Sequence, residues 1–258
     1  MTANEVVLVT GGTGLIGEAI ADTFVDHGFD VIVTSREYER AVSFTDEKNS
    51  VVEGERYLPL ELELGDERSI RDAVASLSEM ERLPSGLIAN ASARDALGSD
   101  FSELSHAEFT NLFAVDIAGH IILARQLQSA NLGEPSLESV TFLSSIYANQ
   151  GVDQRLYPPD MKPTPIHYAA VKSAIDGVIP TLAARWSPSV RVNAVVAGGV
   201  RAPNRQETEF IKKYTEKTML KRLAKPKEIA DSVYFLTDDT ASYITAQSIV
   251  VDGGYSSW

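Results

Sequence analysis

A glycine-rich loop near the N-terminus constrains the fold more than any other feature. The segment 10–17, TGGTGLIG, follows a short apolar run at 5–10 and precedes a helical pattern from about 15 to 27 that ends at Gly28. Glycine permits a tight turn and lets a pyrophosphate approach backbone N–H groups at the positive end of a helix. A strand, a glycine loop and a helix in this order predict a dinucleotide-binding unit.

The rest of the chain continues the alternation of strands and helices. Apolar runs predict further strands at 31–33, 57–62, 86–90, 139–143, 190–196 and 248–251, and helical periodicity predicts long helices at about 103–130 and 167–186. We therefore predict one α/β domain over 1–258, a Rossmann-type doubly wound seven-stranded parallel sheet with helices on both faces. The stretches 149–166 and 201–218 fit neither period and predict loops over a substrate site.

Composition and charge exclude several classes of function. The 258 residues carry 23 Lys and Arg against 36 Asp and Glu, a net charge of −13, which disfavours nucleic acid and anionic membranes as partners. Cysteine is absent and the four histidines are scattered, which argues against disulfides, thiolate nucleophiles and a metal site. No apolar run is long enough to span a membrane, and the first residues do not resemble a signal peptide. We expect a cytoplasmic protein with a small-molecule substrate.

Tyr168 and Lys172 form the clearest catalytic pattern. They are four residues apart within a predicted helix, so they lie on one face, one turn apart. An ammonium beside a phenol favours the phenolate and eases proton exchange near neutral pH. Ser144 and Ser145 follow the predicted strand at 139–143. This pattern indicates acid–base chemistry at a hydroxyl or carbonyl group.

From 6 to 254 the sequence resembles the short-chain dehydrogenase/reductase family, and its size is that of the compact single-domain branch. The resemblance rests on the glycine loop, the serine pair, YAAVK at 168–172, RVN at 191–193 and VDGG at 251–254. It implies an oxidoreductase that interconverts a secondary alcohol and a ketone with NAD(P). Tyr168 would be the general acid or base, Lys172 would assist it and hold the nicotinamide ribose, and Ser145, preferred over Ser144, would bind the substrate oxygen. It also implies a homotetramer or homodimer.

The fourth catalytic position departs from the family pattern. Asp116, in the segment VDIAG at 115–119, stands where the family usually has asparagine. The asparagine kinks the helix so that a backbone carbonyl orders a water leading to the lysine. We expect aspartate to preserve this geometry and to favour the ammonium of Lys172. The predicted catalytic residues are therefore Ser145, Tyr168, Lys172 and Asp116.

The second predicted strand ends without the carboxylate that binds the ribose 2′-hydroxyl of NAD. It ends instead at Ser35 and Arg36, and a guanidinium is able to hold a 2′-phosphate, so NADP is the predicted cofactor with NAD as second choice. The glycine loop and the resemblance together imply cofactor binding at Gly11, Thr13, Gly14, Leu15, Ile16, Gly17, Ser35, Arg36, Glu63, Leu64, Asn90, Ala91, Tyr168, Lys172, Gly198 and Val200.

Between Ser145 and Tyr168 lie 22 residues, which include an insertion relative to the shortest members of the family. Its polar side chains suggest hydrogen bonds to a sugar-like substrate, with candidates Tyr147, Asn149, Gln150, Asp153, Gln154, Arg155 and Tyr157. The insertion and the aromatic end of the chain are similar to oxidoreductases of bacterial surface-sugar pathways of the legionaminic-acid type. Two alternatives stay open, a 3-oxoacyl-carrier-protein-type reductase with Lys212, Lys213 and Lys217 as a docking patch, and a nicotinamide-nucleotide sensor without turnover.

Overall fold

The computed structural model describes residues 5–98, 100–130, 137–203 and 206–258. All seven strands pair in parallel, in the order β3-β2-β1-β4-β5-β6-β7. The strands are β1 Val6–Val9, β2 Asp30–Ser35, β3 Tyr57–Glu61, β4 Gly86–Ala89, β5 Ser139–Ser145, β6 Arg191–Ala197 and β7 Ser248–Val251. The predicted seven-stranded parallel sheet is confirmed.

Helices cover both faces of this sheet. They are α1 Leu15–Asp26, α2 Tyr38–Asn49, α3 Glu67–Glu79, α4 His106–Phe113, α5 His120–Ala130, α6 Ile166–Trp186, α7 Thr208–Lys217 and α8 Pro226–Thr237. The apolar sides of α1 and α8 pack in one core cluster, and those of α3, α5 and α6 in another. Because both faces are covered, β1, β4 and β5 are buried along their whole length.

Chain direction and strand order together set the position of the site. The chain runs outward from β1 to β2 and β3, then returns to β4 on the other side of β1. The strand order reverses between β1 and β4, and ligands of open α/β sheets bind at the carboxyl ends of strands beside such a reversal. The glycine loop after β1 and the segment after β4 both lie at this edge.

Two boundaries differ from the sequence predictions. Ser144 and Ser145 are the last residues of β5 and do not follow it. The prediction of a continuous loop over 201–218 is wrong. Helix α7 occupies Thr208–Lys217 and buries Phe210 and Tyr214, one turn apart. Only these two side chains of α7 are buried, which is too few for a clear periodic pattern in the sequence.

One helical stretch is long and apolar enough to cross a membrane, contrary to the expectation that none would be. His106–Ala130 has 25 residues and a mean hydropathy of 1.3, judged by length and composition alone. It comprises α4, a π-helical turn at Ala114–Gly119 and α5, and its apolar side packs in the core with α3 and α6. One third of this apolar window is buried inside the domain.

Candidate active site

A cleft of about 660 Å³ lies at the carboxyl edge of the sheet beside the reversal of strand order. Most residues predicted to bind the cofactor line it. They are Gly11, Thr13, Gly14, Leu15, Ile16, Gly17, Ser35, Arg36, Glu63, Leu64, Asn90 and Ala91. The tertiary structure thus gathers positions from four separate segments of the chain at one cleft.

The glycine loop has the shape that an anion at the start of α1 requires. Gly11 has a φ of +62°, and a Cβ added to Gly17 would lie 2.3 Å from the Gly11 carbonyl oxygen, so α1 contacts the loop only because position 17 is glycine. Asn90 donates from Nδ2 to the carbonyl oxygens of Thr10 and Gly11, at 2.9 and 3.2 Å. Gly14 precedes α1 without a side-chain cap, which leaves the first N–H groups of the helix to a ligand such as a pyrophosphate.

The far end of the cleft carries the positive charge expected from the sequence. Arg36 lines it together with Arg40, one turn later in the chain. The Arg36 guanidinium pairs with the Asp95 carboxylate at 2.9 Å, and this hydrogen bond raises the pKa of Arg36 above its usual value. Ser35 uses its hydroxyl to accept from the Glu37 N–H at 3.2 Å. A ligand at Arg36 therefore competes with Asp95.

Glu63 and Leu64 form the wall of the cleft next to β3. The Glu63 carboxylate accepts from the Gly65 N–H at 2.9 Å, and the Glu63 N–H donates to Ser69 Oγ at 2.9 Å. The carboxylate is thus held in place at the wall of the cleft, with acceptor positions left for a ligand.

A second cavity of about 440 Å³ adjoins the cleft, and Ile16, Asn90, Ser92 and Arg94 line both. Ser145, Tyr168, Lys172, Gly198 and Val200 line this second cavity, which we call the substrate cavity. The two serines, Ser144 and Ser145, make different hydrogen bonds. Ser144 Oγ donates to the Lys172 carbonyl oxygen at 3.3 Å, whereas Ser145 Oγ accepts from the Tyr147 N–H at 3.3 Å and keeps its own proton for a ligand.

The lysine of the pattern is buried and held from two sides. Lys172 Nζ donates to Asp116 Oδ2 at 3.2 Å and to the Leu143 carbonyl oxygen at 3.0 Å. It also lies 5.5 Å from the centroid of the Tyr168 ring. The other carboxylate oxygen of Asp116 accepts from the Ala93 N–H at 3.1 Å. These bonds fix the ammonium beside the tyrosine.

Asp116 itself lines neither the cleft nor the substrate cavity. Its side chain is fully buried behind Lys172. The sequence grouped Asp116 with the catalytic residues, but the structure places it as a residue that acts through Lys172. Aspartate is therefore a positioning residue here.

The helix is distorted at Asp116, and the reason includes a contact that sequence reasoning missed. Ala114–Gly119 forms a π-helical turn, and a Cβ on Gly119 would lie 2.3 Å from the Leu64 carbonyl oxygen. The Asp116 carbonyl oxygen accepts from His120 Nδ1 at 3.1 Å, a side-chain contact that the family pattern does not predict. His120 Nε2 lies 2.9 Å from Thr10 Oγ1 before the glycine loop. One buried ring thus joins the two parts of the site.

The insertion contributes fewer polar groups to the substrate cavity than its sequence suggests. Tyr147 and Tyr157 line the cavity, and their hydroxyls lie 3.2 Å apart. Asn149, Gln150, Asp153, Gln154 and Arg155 do not line it, so this part of the expectation is wrong. Asp153 instead pairs with Arg155 and Lys217 on the outside of the domain.

Several residues of the site escaped the sequence patterns. Ser92, Arg94 and Lys162 line the substrate cavity, and Ser92 Oγ is buried without a hydrogen-bond partner among the described residues. The position of Ser92 and Arg94 directly after β4, at the carboxyl edge of the sheet, is the signal that points to them. An unsatisfied hydroxyl between cleft and cavity fits a bound ligand at that wall.

The sequence and the fold of this chain are similar to those of known proteins. The family model described as enoyl-(acyl carrier protein) reductase matches residues 13–256. A glucose 1-dehydrogenase of Gluconobacter oxydans is 27% identical over 98% of this chain and 92% of its own. A 3-oxoacyl-[acyl-carrier-protein] reductase of Aquifex aeolicus is 29% identical over 97% and 96%. The crystal structure of a short chain dehydrogenase from Leptospira borgpetersenii with bound NAD+ is 26% identical, covers 98% of this chain and 93% of its own, and has a TM-score of 0.84.

Proposed function

The chain belongs to the short-chain dehydrogenase/reductase family, and we propose that it interconverts a secondary alcohol and a ketone at the substrate cavity. The resemblance in the sequence is thereby confirmed, and the chain is an oxidoreductase of a family that uses nicotinamide cofactors. The observation that carries the proposal is that Ser145, Tyr168 and Lys172 line one cavity, which opens into the cleft at the glycine loop.

The cleft fits a nicotinamide dinucleotide. The uncapped start of α1 and the glycine loop would hold the pyrophosphate, Glu63 and Leu64 would contact the adenine, and Tyr168 and Lys172 would hold the nicotinamide ribose. The bound nicotinamide supplies the hydride acceptor or donor for the carbon of the substrate. The remaining work, which is proton transfer and orientation, falls to side chains of this chain.

Tyr168 is the residue that moves the proton. In the oxidation, its oxygen takes the hydroxyl proton of the alcohol while the carbon loses a hydride; in the reduction, the phenol returns that proton to the ketone oxygen. Ser145 donates a hydrogen bond to the same substrate oxygen. Lys172 stabilises negative charge on Tyr168, and Asp116 and the Leu143 carbonyl hold the ammonium where it does so.

We assign NADP as the preferred cofactor and NAD as the second choice. The support is local, because Arg36 and Arg40 line the end of the cleft at β2, where Ser35 ends the strand without a carboxylate. A guanidinium meets the 2′-phosphate of NADP with charge-assisted hydrogen bonds. Asp95 opposes this preference, because Arg36 must leave its ion pair with Asp95 to bind the phosphate.

The 3-oxoacyl-carrier-protein reductase remains the second candidate, since the family description and the Aquifex relative both name that carrier. Its predicted docking patch is weak in this structure. Lys213 pairs with Glu209 at 2.8 Å and Lys217 pairs with Asp153, so two of the three lysines are neutralised. The sensor without turnover is disfavoured by the complete serine, tyrosine and lysine set.

A substrate screen tests the proposed function. Purified protein is incubated with NADP+ or NADPH and with panels of sugars, hydroxy acids, ketones and 3-oxoacyl thioesters, and the absorbance of reduced nicotinamide is followed. Turnover of any alcohol or ketone that is lost in Tyr168→Phe supports the proposal. Cofactor binding without turnover across all panels contradicts it and favours the sensor. The cytoplasmic location, the oligomeric state, and the sugar-like substrate stay predictions.

A further inference from the structure

The substrate cavity is cationic in a strongly acidic chain. The sequence has 36 Asp and Glu against 23 Lys and Arg. Arg94, Lys162 and Lys172 line the substrate cavity, and no carboxylate side chain lines it within the described ranges. A cavity wall of one charge sign raises the local concentration of ligands of the opposite sign. The contrast with the rest of the chain indicates that this cavity is suited to an anion.

Two of these three cations already have counterions. Lys172 pairs with Asp116 at 3.2 Å, and Lys162 donates to the Gly98 carbonyl oxygen at 2.9 Å with Asp100 at 3.7 Å. Neither ammonium is therefore left with an unmatched charge. The cation that remains is Arg94.

Arg94 has no ion pair or side-chain hydrogen bond in the part of the chain that the structure describes. The neighbouring Asp95 pairs with Arg36 at 2.9 Å, so Arg94 is not its partner. Arg94 is exposed and lies on the wall common to the cleft and the substrate cavity. An unpaired guanidinium presents five N–H donors that match a carboxylate or phosphate group.

The same cavity contains the groups that act on a substrate oxygen. Ser145 and Tyr168 line it together with Arg94, and its volume of about 440 Å³ lies in the range of small-molecule sites. One ligand is therefore able to place a hydroxyl or carbonyl at Tyr168 and an anionic group at Arg94. We propose that Arg94 is an anion subsite, and that the substrate is an alcohol or ketone that also carries a carboxylate or a phosphate group.

The identity of the reacting group rests on the proposed function, whereas the anion subsite rests on Arg94 itself. Binding and turnover are therefore measured separately. Calorimetry measures the binding of gluconate, glucose 6-phosphate and the neutral sugars glucose and glucitol to the protein saturated with NADP+. The carboxylate and phosphate arms distinguish the two anion sources, and the absorbance of reduced nicotinamide reports turnover.

We expect wild-type protein to bind at least one anionic sugar about tenfold more tightly than its neutral counterpart, the size of one charged hydrogen bond. Arg94→Gln removes this preference and leaves neutral binding unchanged, while Arg94→Lys keeps part of it. Arg71→Gln is the matched control, because Arg71 is an exposed arginine on α3 that lines neither the cleft nor the substrate cavity. Added salt reduces the preference of the wild type.

Equal binding of charged and neutral sugars by the wild type overturns the anion subsite, and so does a charge preference that survives in Arg94→Gln. An anion preference that depends on Arg94, in a protein that turns over no alcohol or ketone, supports the subsite and contradicts the proposed function. Turnover of neutral sugars with no anion preference contradicts the subsite and supports the proposed function.

Discussion

Lys172 Nζ lies 3.2 Å from Asp116 Oδ2, and both side chains are almost completely buried, 6% and 0% exposed. The two residues are 56 positions apart in the chain. A buried ammonium and a buried carboxylate stabilise each other, and removing one leaves an uncompensated charge in the core. Asp116 therefore determines where the Lys172 ammonium lies beside Tyr168.

Asp116→Ala is expected to destabilise the fold by about 3–5 kcal/mol, because Lys172 loses its counterion. It is also expected to lower kcat about 100-fold, the effect of displacing a catalytic group by about 1 Å. Asp116→Asn keeps one acceptor oxygen, which serves either Lys172 or the Ala93 N–H but not both, so both losses are smaller than in Asp116→Ala. Urea unfolding and steady-state kinetics measure the two effects. Wild-type stability and rate in Asp116→Ala would show that the pair has no role in positioning.

Tyr168→Phe removes only a hydroxyl at the substrate cavity. Because this hydroxyl is the proposed proton donor and acceptor, we expect kcat to fall by about 10²–10⁴-fold, the usual contribution of acid–base catalysis. Cofactor affinity stays within a few-fold, since Lys172 and the glycine loop are unchanged. Fluorescence titration with NADPH and circular dichroism are the controls. A variant with nearly full activity would contradict the assignment of Tyr168.

NADPH is expected to bind at least tenfold more tightly than NADH, because one charge-assisted hydrogen bond from Arg36 to the 2′-phosphate contributes about 1.5–3 kcal/mol. Arg36→Ala removes the preference. Asp95→Asn increases NADPH affinity several-fold, since Asp95 no longer competes for Arg36 at 2.9 Å. Both cofactors are titrated against the three proteins. Tighter NADH binding by the wild type, or a preference that persists in Arg36→Ala, would refute the role of Arg36.

The buried ring of His120 is expected to make the fold sensitive to acid. Burial lowers the pKa of His120 from 6.5 to about 4, although the charge of Asp116 raises it and that of Lys172 lowers it further. Between these two values the unfolded state binds a proton that the folded state does not, so the free energy of unfolding falls as pH falls from about 6.5 to about 4. The shift corresponds to about 3 kcal/mol.

Urea unfolding of wild-type protein and His120→Asn at pH 7 and pH 5 checks this expectation. The variant loses some stability at pH 7, because the bond to the Asp116 carbonyl weakens, but it loses less than the wild type on acidification. His106→Asn is the control, since His106 is exposed at the start of α4. The same pH dependence in all three proteins would show that His120 does not titrate as proposed.

Local patterns were sufficient for much of the fold. The β-branched residues of β1 and β2, the glycine loop and the long apolar helices are visible from periodicity over a few residues. The polar helix α2 is harder to detect because it buries only Ala41 and Thr45. Its position depends on packing against β3, to which Asn49 donates a hydrogen bond at 2.9 Å. A segment with such weak periodicity forms a stable helix only through tertiary contacts.

By itself, the sequence determined that Tyr168 and Lys172 share one face of a helix, because their spacing is a property of the helix alone. It also determined that the first strand leads into a glycine loop at the start of a helix. Only the tertiary structure decided that Asp116 stands behind Lys172, that Asp95 pairs with Arg36, and that Arg94 has no counterion among the described residues at the cavity wall. These relationships involve residues from separate helices and strand ends, and the packing of the helices on the sheet sets their distances.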